Sequence, residues 1–256
     1  MVNLALNKLV QSTAESCWQS SPLAATHLTV ARGDTILCSR VNFNLSSGEI
    51  LHVHGQNGVG KTTLLMTLAG LLPTLETSRS ETNQDEAMLI WAGKPTSEWP
   101  VLYIGHLAGL NTGLSVRENL RFLQGANTIL HTMSRAISDA SLNAALDAVG
   151  LSGYEDIAVA RLSSGQKRRV SLARLWLTEA HHALWLLDEP FNSLDAGMMA
   201  SLNERLEQHT ANSGRVILTS HQPLTVPVRS LNLEPFALQH DDDTDGFEYG
   251  DCEHEH

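Results

Sequence analysis

The chain has 256 residues, 42% of them hydrophobic, enough to bury a full core in one large domain or in one domain carrying a smaller lobe. Its formal net charge of −11 argues against sequence-independent DNA or RNA binding, which needs Lys and Arg facing phosphates, so no nucleic-acid partner is expected. No run of about 18 apolar residues is present to cross a bilayer unaided, and Cys17, Cys38 and Cys252 lie too far apart for a disulfide framework or a C-x-x-C metal pattern.

Met1 to Val10 contains one Lys and no continuous apolar stretch, unlike an export signal, which predicts a chain that stays in the cytosol. Residues 1–24 are Ser-rich and aperiodic and read as an extension ahead of the domain. From Ala25 to Asn44 two short runs flank Arg32-Gly33-Asp34, the pattern of an antiparallel hairpin. Glu49 to His54 reads as a strand, and Lys61 to Leu72 as a helix with Leu64, Leu65 and Leu68 on one face. Glu76 to Glu86 has no apolar residue and reads as a long surface loop before a strand at Ala87 to Trp91. Residues from about 107 to 162 change to helical spacing, as at Leu142, Leu146 and Val149, and form a candidate inserted helical lobe. Val101 to Ile104, Ala183 to Leu187 and Val216 to Ser220 are short strands among helical stretches, the alternation of a parallel sheet covered by helices. The domain is expected over 25–237, followed by an acidic, disordered tail over 238–256 in which Asp241, Asp242, Asp243, Asp245, Glu248, Asp251, Glu253 and Glu255 stand with no Lys or Arg.

Between the strand ending at His54 and the helix opening at Lys61 lies Gly55-Gln56-Asn57-Gly58-Val59-Gly60-Lys61-Thr62, which fits the phosphate-loop pattern G-x-x-x-x-G-K-[ST]. Its glycines let backbone N–H groups turn toward phosphate oxygens, and the helix adds its positive N-terminal end. Lys61 is placed to reach the β- and γ-phosphates of ATP, Thr62 to give its hydroxyl oxygen to Mg²⁺, and Thr63 to bond the α-phosphate. Leu184 to Glu189 is an apolar strand ending in two carboxylates. Such an ending also fits an ordinary strand with a solvated tip, but beside a phosphate loop it puts Asp188 where it can hold Mg²⁺ through water and Glu189 where it can orient or deprotonate the attacking water.

Leu162-Ser163-Ser164-Gly165-Gln166 precedes a basic, helix-compatible stretch, Lys167 to Arg174. Ser163 or Ser164 can cap that helix and Gly165 leaves its N–H exposed, making a second phosphate-binding helix start.

Taken together, these elements resemble the ABC (ATP-binding cassette) ATPases from roughly Ala25 to Leu224. LSSGQ stands for the family's LSGGQ signature, Ser193-Leu194-Asp195 for its D-loop and His221, after VILTS, for its switch histidine, which would contact the γ-phosphate. The resemblance implies an α/β P-loop NTPase fold with a mostly parallel sheet, an antiparallel β subdomain and an inserted helical subdomain. It also implies a homodimer in which the signature of one chain covers the ATP held by the other.

Two departures stand out. No aromatic residue lies between Trp18 and Phe43 to stack on adenine, so Arg32 is expected to stand in with looser base selection, while Phe43 faces the core. Where most cassettes carry a glutamine that links the ATP site to the membrane partner, the matching residue is His106, which predicts pH-sensitive coupling.

Gly105-His106, Ala173 to Leu177 and Ser220 to Leu224 look like the cytochrome c maturation ATPases, the CcmA or haem-exporter ATP-binding family. That likeness implies an ATPase of the haem-transporting translocase class, peripheral on the cytoplasmic face of the bacterial inner membrane. It implies docking on the membrane subunit CcmB, with CcmC and the haem chaperone CcmE downstream and membrane contact only through a partner. Cys252, His254 and His256 in the tail read as chance neighbours and not as a metal site. Two other readings stay open: the ATPase of another small ABC transporter, and a regulatory module that binds ATP and barely hydrolyses it.

Overall fold

The computed structural model describes residues 21–73, 88–91, 93–94, 96–126, 137–178 and 183–238. The expectations for residues 1–20, the loop at 76–86 and the tail from 239, with Cys17 and Cys252, lie outside the described residues. Cys38 is a free, buried thiol.

Gly33, at φ +60°, turns strand β1 (Leu23–Arg32) into β2 (Thr35–Leu45), closing the expected hairpin with Arg32 opposite Thr35. The first strand starts two residues ahead of the boundary drawn at 25, because Leu23 is fully buried and pairs with both Leu45 and Trp91. β3 (Ile50–His54) enters the phosphate loop, and helix α1 (Lys61–Leu68) leaves it. The helix stops four residues short of Leu72. Gly70, at φ +69°, and Leu71 donate back to Thr67 and Met66, a Schellman ending that glycine permits without strain. β4 (Met88–Trp91) then adds to β1 on its other side, giving a three-stranded antiparallel sheet in the order β2-β1-β4.

β5 (Val101–Ile104) opens the second sheet, followed by helices α2 (Val116–Ala126) and α3 (Asp139–Ala148). Helix α4 (Ser164–Leu177), β6 (Leu184–Leu187), helix α5 (Ala196–Ala211), β7 (Arg215–Thr219) and β8 (Arg229–Asn232) complete the chain. The sheet order is β5-β6-β7-β3-β8 and every pair is parallel. Among the described residues no helix is long and apolar enough to cross a membrane.

Successive strand residues point to opposite faces, and in β6 all four are fully buried. Leu184 and Leu186 join Leu64, Leu65 and Leu68 of α1 and the antiparallel sheet in one core; Trp185 and Leu187 join α3, α4 and α5 in the other. The second core runs on through Val116, Leu120, Leu142 and Leu146, so α2 and α3 are anchored to the sheet that carries the catalytic candidates. Arg215, fully buried over the Trp91 ring, donates to the Leu45 and Ser21 carbonyls and ties the antiparallel sheet to β7. The phosphate loop and the segments carrying His106, Asp188 with Glu189, and His221 leave the carboxyl ends of β3, β5, β6 and β7, where open α/β sheets bind ligands.

Candidate functional site

The phosphate loop is shaped by three left-handed glycines, Gly55 at φ +140°, Gly58 at +87° and Gly60 at +110°. At Gly60 a side chain would also be crowded, since a Cβ there would lie 3.3 Å from Leu37 Cβ on the hairpin. Gly60 is the N-cap of α1 and offers no side-chain cap, so the first-turn N–H groups stay available to an anion. The loop is braced from outside: Cys38 Sγ donates to the Val59 carbonyl at 3.0 Å, and Glu234 accepts the Gln56 N–H at 3.0 Å. Burial pushes the Cys38 thiol up, so it sits there as a neutral donor. Lys61 Nζ folds over the loop and donates to the Gly55 and Gln56 carbonyls at 2.7 and 3.0 Å. Thr63, the residue expected at the α-phosphate, is 5% exposed on the first turn of the helix.

Thr62 Oγ1 donates to Asp188 Oδ2 at 2.8 Å, which brings the end of the phosphate loop and the end of β6 together. Thr219, at the end of β7, donates its hydroxyl to Asp188 Oδ1 at 2.8 Å and accepts the Glu189 N–H at 2.9 Å. Glu189 is nearly buried and adopts φ +50°, an uncommon conformation for a non-glycine residue. Its carboxylate faces His221, with Oε2 3.3 Å from the His221 N–H and Oε1 3.4 Å from Nε2. The oxygens of Thr62 and Asp188 are the hard donors that Mg²⁺ prefers. Among the described residues there is no group of three or more His, Cys, Asp or Glu that could hold a metal ion.

Helix α4 starts differently. Ser163, and not Ser164, is its N-cap: Ser163 Oγ accepts the Gln166 N–H at 3.2 Å and Gln166 Oε1 accepts the Ser163 N–H at 2.9 Å, a reciprocal capping box. Ser163 and Ser164 are exposed, and Gly165 lets the Ser193 carbonyl approach to 3.4 Å of where a Cβ would stand. Arg169 pairs with Asp195, the N-cap of α5. The Met198 N–H and then Arg169 hold the Asp195 carboxyl below its ordinary range. Among the described residues no hydrogen bond or ion pair joins Ser163–Gln166 to Gly55–Thr63 of the same chain.

His106 is exposed and lines a cleft of about 590 Å³ together with Thr62, Met66, Tyr103, Leu107 and Arg174. Burial, and then the Asp188 charge, push Tyr103 up to about 12; burial brings Arg174 down to about 10, still cationic at neutral pH. Arg32 is exposed at the hairpin tip, two residues beyond Val30, which packs toward Gly60, while Phe43 is partly buried against the core.

Sequence reasoning missed Thr219, Glu234, Cys38 and above all Arg168. The last stands in the basic, helix-compatible stretch Lys167 to Arg174, and its spacing with Leu172 and Leu175 puts it on the buried face of α4.

The sequence pattern of the ABC transporter family matches residues 38–192. The chain is 43% identical over 208 residues to a cytochrome c biogenesis ATP-binding export protein, CcmA 2, of Salmonella paratyphi A, covering 79% of this chain and 90% of that protein. It is 41% identical over 210 residues to CcmA of Escherichia coli K12, covering 80% and 91%. In fold it is similar to an ABC transporter ATP-binding protein from Pyrococcus furiosus, with a TM-score of 0.68 at 22% identity over 85% of this chain and all of that one.

Proposed function

The chain belongs to the ABC transporter family, among the CcmA ATP-binding proteins of cytochrome c biogenesis, and on that footing we propose that two copies clamp two ATP molecules and hydrolyse them to drive a membrane partner. The observation that carries this reading is the meeting of Thr62, Asp188, Thr219, Glu189 and His221 at the carboxyl ends of three neighbouring strands.

Gly55 to Thr63 would cradle the phosphates, with Lys61 exchanging the Gly55 and Gln56 carbonyls for β- and γ-phosphate oxygens. Thr62 and Asp188 would hold Mg²⁺, which when bound supplies positive charge against the phosphate oxygens. Glu189 takes the proton of the water that attacks the γ-phosphorus; the bond to the β–γ bridging oxygen breaks, and ADP, phosphate and a proton result. His221, 59% exposed at its side chain and touching Glu189, would exchange that carboxylate for a γ-phosphate oxygen. The second wall of each site comes from the twin chain, whose Ser163, Ser164, Gly165 and Gln166 stand at a helix start with both serines exposed.

The work done is part of cytochrome c biogenesis, the process named for the CcmA relatives. A membrane partner would dock at the cleft beside His106, whose lining includes Leu71 and Leu107, apolar side chains 57% and 82% exposed. CcmB is the proposed partner, CcmC and CcmE share the pathway, and haem export or release of the haem-loaded chaperone at the cytoplasmic face of the inner membrane is the coupled event.

The test is steady-state hydrolysis by the full chain in its membrane assembly. Glu189→Gln should lower kcat by roughly 10²- to 10⁴-fold, the range for losing a general base, while ATP still binds and c-type cytochromes stop accumulating. Equal rates from the wild type and Glu189→Gln would sink the enzyme reading in favour of an ATP-binding module.

A further inference from the structure

Arg168 lies on the first turns of the signature helix α4, yet it is only 6% exposed and faces away from the capping box toward the hydrolytic carboxylates. Its Nη1 donates to the Gly105 carbonyl at 2.6 Å, and its Nη2 donates to the Asp188 and Glu189 carbonyls at 2.7 and 2.8 Å. One guanidinium therefore joins three segments: the helix start that would cover the twin chain's ATP, the loop that carries His106, and the backbone carbonyls on both sides of the Glu189 Cα. Glu189 holds φ +50°, a conformation L-residues adopt only when their surroundings over-determine it. Three groups hold it here: Thr219 Oγ1 accepts its N–H, Arg168 donates to the Asp188 and Glu189 carbonyls, and the Asn192 N–H donates to the Glu189 carbonyl at 3.2 Å. Burial lowers the Arg168 pKa from its ordinary value, with the negative charges of Asp188 and Glu189 acting the other way. At neutral pH it stays a cation bound to carbonyl oxygens, with the carboxylates left for chemistry.

We propose that Arg168 is a positioning residue that locks the backbone of Glu189 of its own chain and so ties the signature contact on one ATP to the hydrolytic carboxylate at the other. This rests on the dimeric ATPase reading above. The planar fork is what the three carbonyls match: lysine has the charge but cannot span them in one geometry. Displacing Glu189 from its attack geometry costs rate and not binding, because the phosphates are held by the loop that Arg168 does not touch.

The experiment compares Arg168→Lys and Arg168→Met in the full chain with its membrane assembly, reading kcat, KM and ATP dissociation constant. Arg168→Met should lose about a hundredfold in kcat and Arg168→Lys about tenfold, with ATP affinity held, on the scale by which small misplacements of a catalytic group cost rate. Mixed dimers from two differently tagged copies separate positioning from general damage. In one, Arg168→Lys sits in the chain with the sole intact Glu189, opposite a Glu189→Gln twin; in the other, both substitutions share one chain opposite a wild-type twin. The first should hydrolyse several times more slowly than the second. Wild-type kcat in Arg168→Lys, or equal rates in the two mixed dimers, overturns the proposal. The wild type and Glu189→Gln run alongside: if those two hydrolyse alike, the function reading falls, whereas if only the Arg168 variants behave as wild type, the function stands and this inference alone falls.

Discussion

The two helix starts proposed to meet phosphate, those of α1 and α4, begin in opposite ways. Helix α1 is capped by Gly60, which has no side chain to give, so the helix start is left open for an anion. Helix α4 is capped by Ser163, and its serine and Gln166 already satisfy one another. The first start is shaped by its own chain down to the glycine dihedrals and needs only a ligand. The second is self-satisfied while alone, so it can wait in water without collapsing onto its own loop. The contrast fits a division of labour in which one end binds nucleotide before the dimer closes and the other engages it only on closure.

The sharpest way to break the contrast is at α1. Lys61→Ala removes charged hydrogen bonds worth about 1.5–3 kcal/mol, so the ATP dissociation constant should rise roughly ten- to hundredfold in titration calorimetry. Gly60→Ala should act there by another route. A residue forced to φ +110° against Leu37 costs about 1–3 kcal/mol, visible as a lower Tm as well as weaker binding. On the α4 side the effect should be smaller: Ser163→Ala loses a cap worth about 1 kcal/mol. It should slow hydrolysis by the dimer while ATP binding to a single chain is kept, and weakened binding by the isolated chain would erase the distinction between the two starts. Next in size is base choice. With exposed Arg32 in place of an aromatic ring, GTP should compete with ATP within about tenfold, a gap of about 1.4 kcal/mol; a strong preference for ATP would remove Arg32 from the site. The smallest effect is expected at His106, in the cleft beside α1. Histidine carries an ionisable ring and glutamine does not, so the ratio of hydrolysis rates at mildly acidic and neutral pH should differ between His106→Gln and the wild type.

Much of the fold could be read from the chain because the central strands β6 and β7 are short, apolar and buried on both faces. β6 shows this best, since four buried residues run straight into Asp188 and Glu189. β8 escaped notice for the converse reason: Arg229-Ser230-Leu231-Asn232 has one buried side chain, and only its pairing with β3 makes it a strand. The end of α1 was misplaced because Leu71 and Leu72 continue the apolar spacing, while the left-handed turn at Gly70 decides the matter. At the site, residues whose chemistry depends on spacing along the chain were legible, from Gly55 to Thr62. Thr219, Glu234 and Arg168 were not. Each acts through backbone groups far away in sequence, and a threonine ending a strand or an arginine in a basic run carries no local mark of such a partner.

The place of β3 has a consequence for how the protein is made. Its two neighbours are β7 and β8, at residues 215–219 and 229–232, although β3 itself spans only Ile50–His54. A growing chain still short of residue 215 therefore holds this strand with neither flanking partner, and the loop that follows has no fixed floor. Closure over so long a separation is slow, and a prematurely terminated polypeptide would emerge from the ribosome without a finished nucleotide pocket, so it could not trap ATP in competition with complete copies.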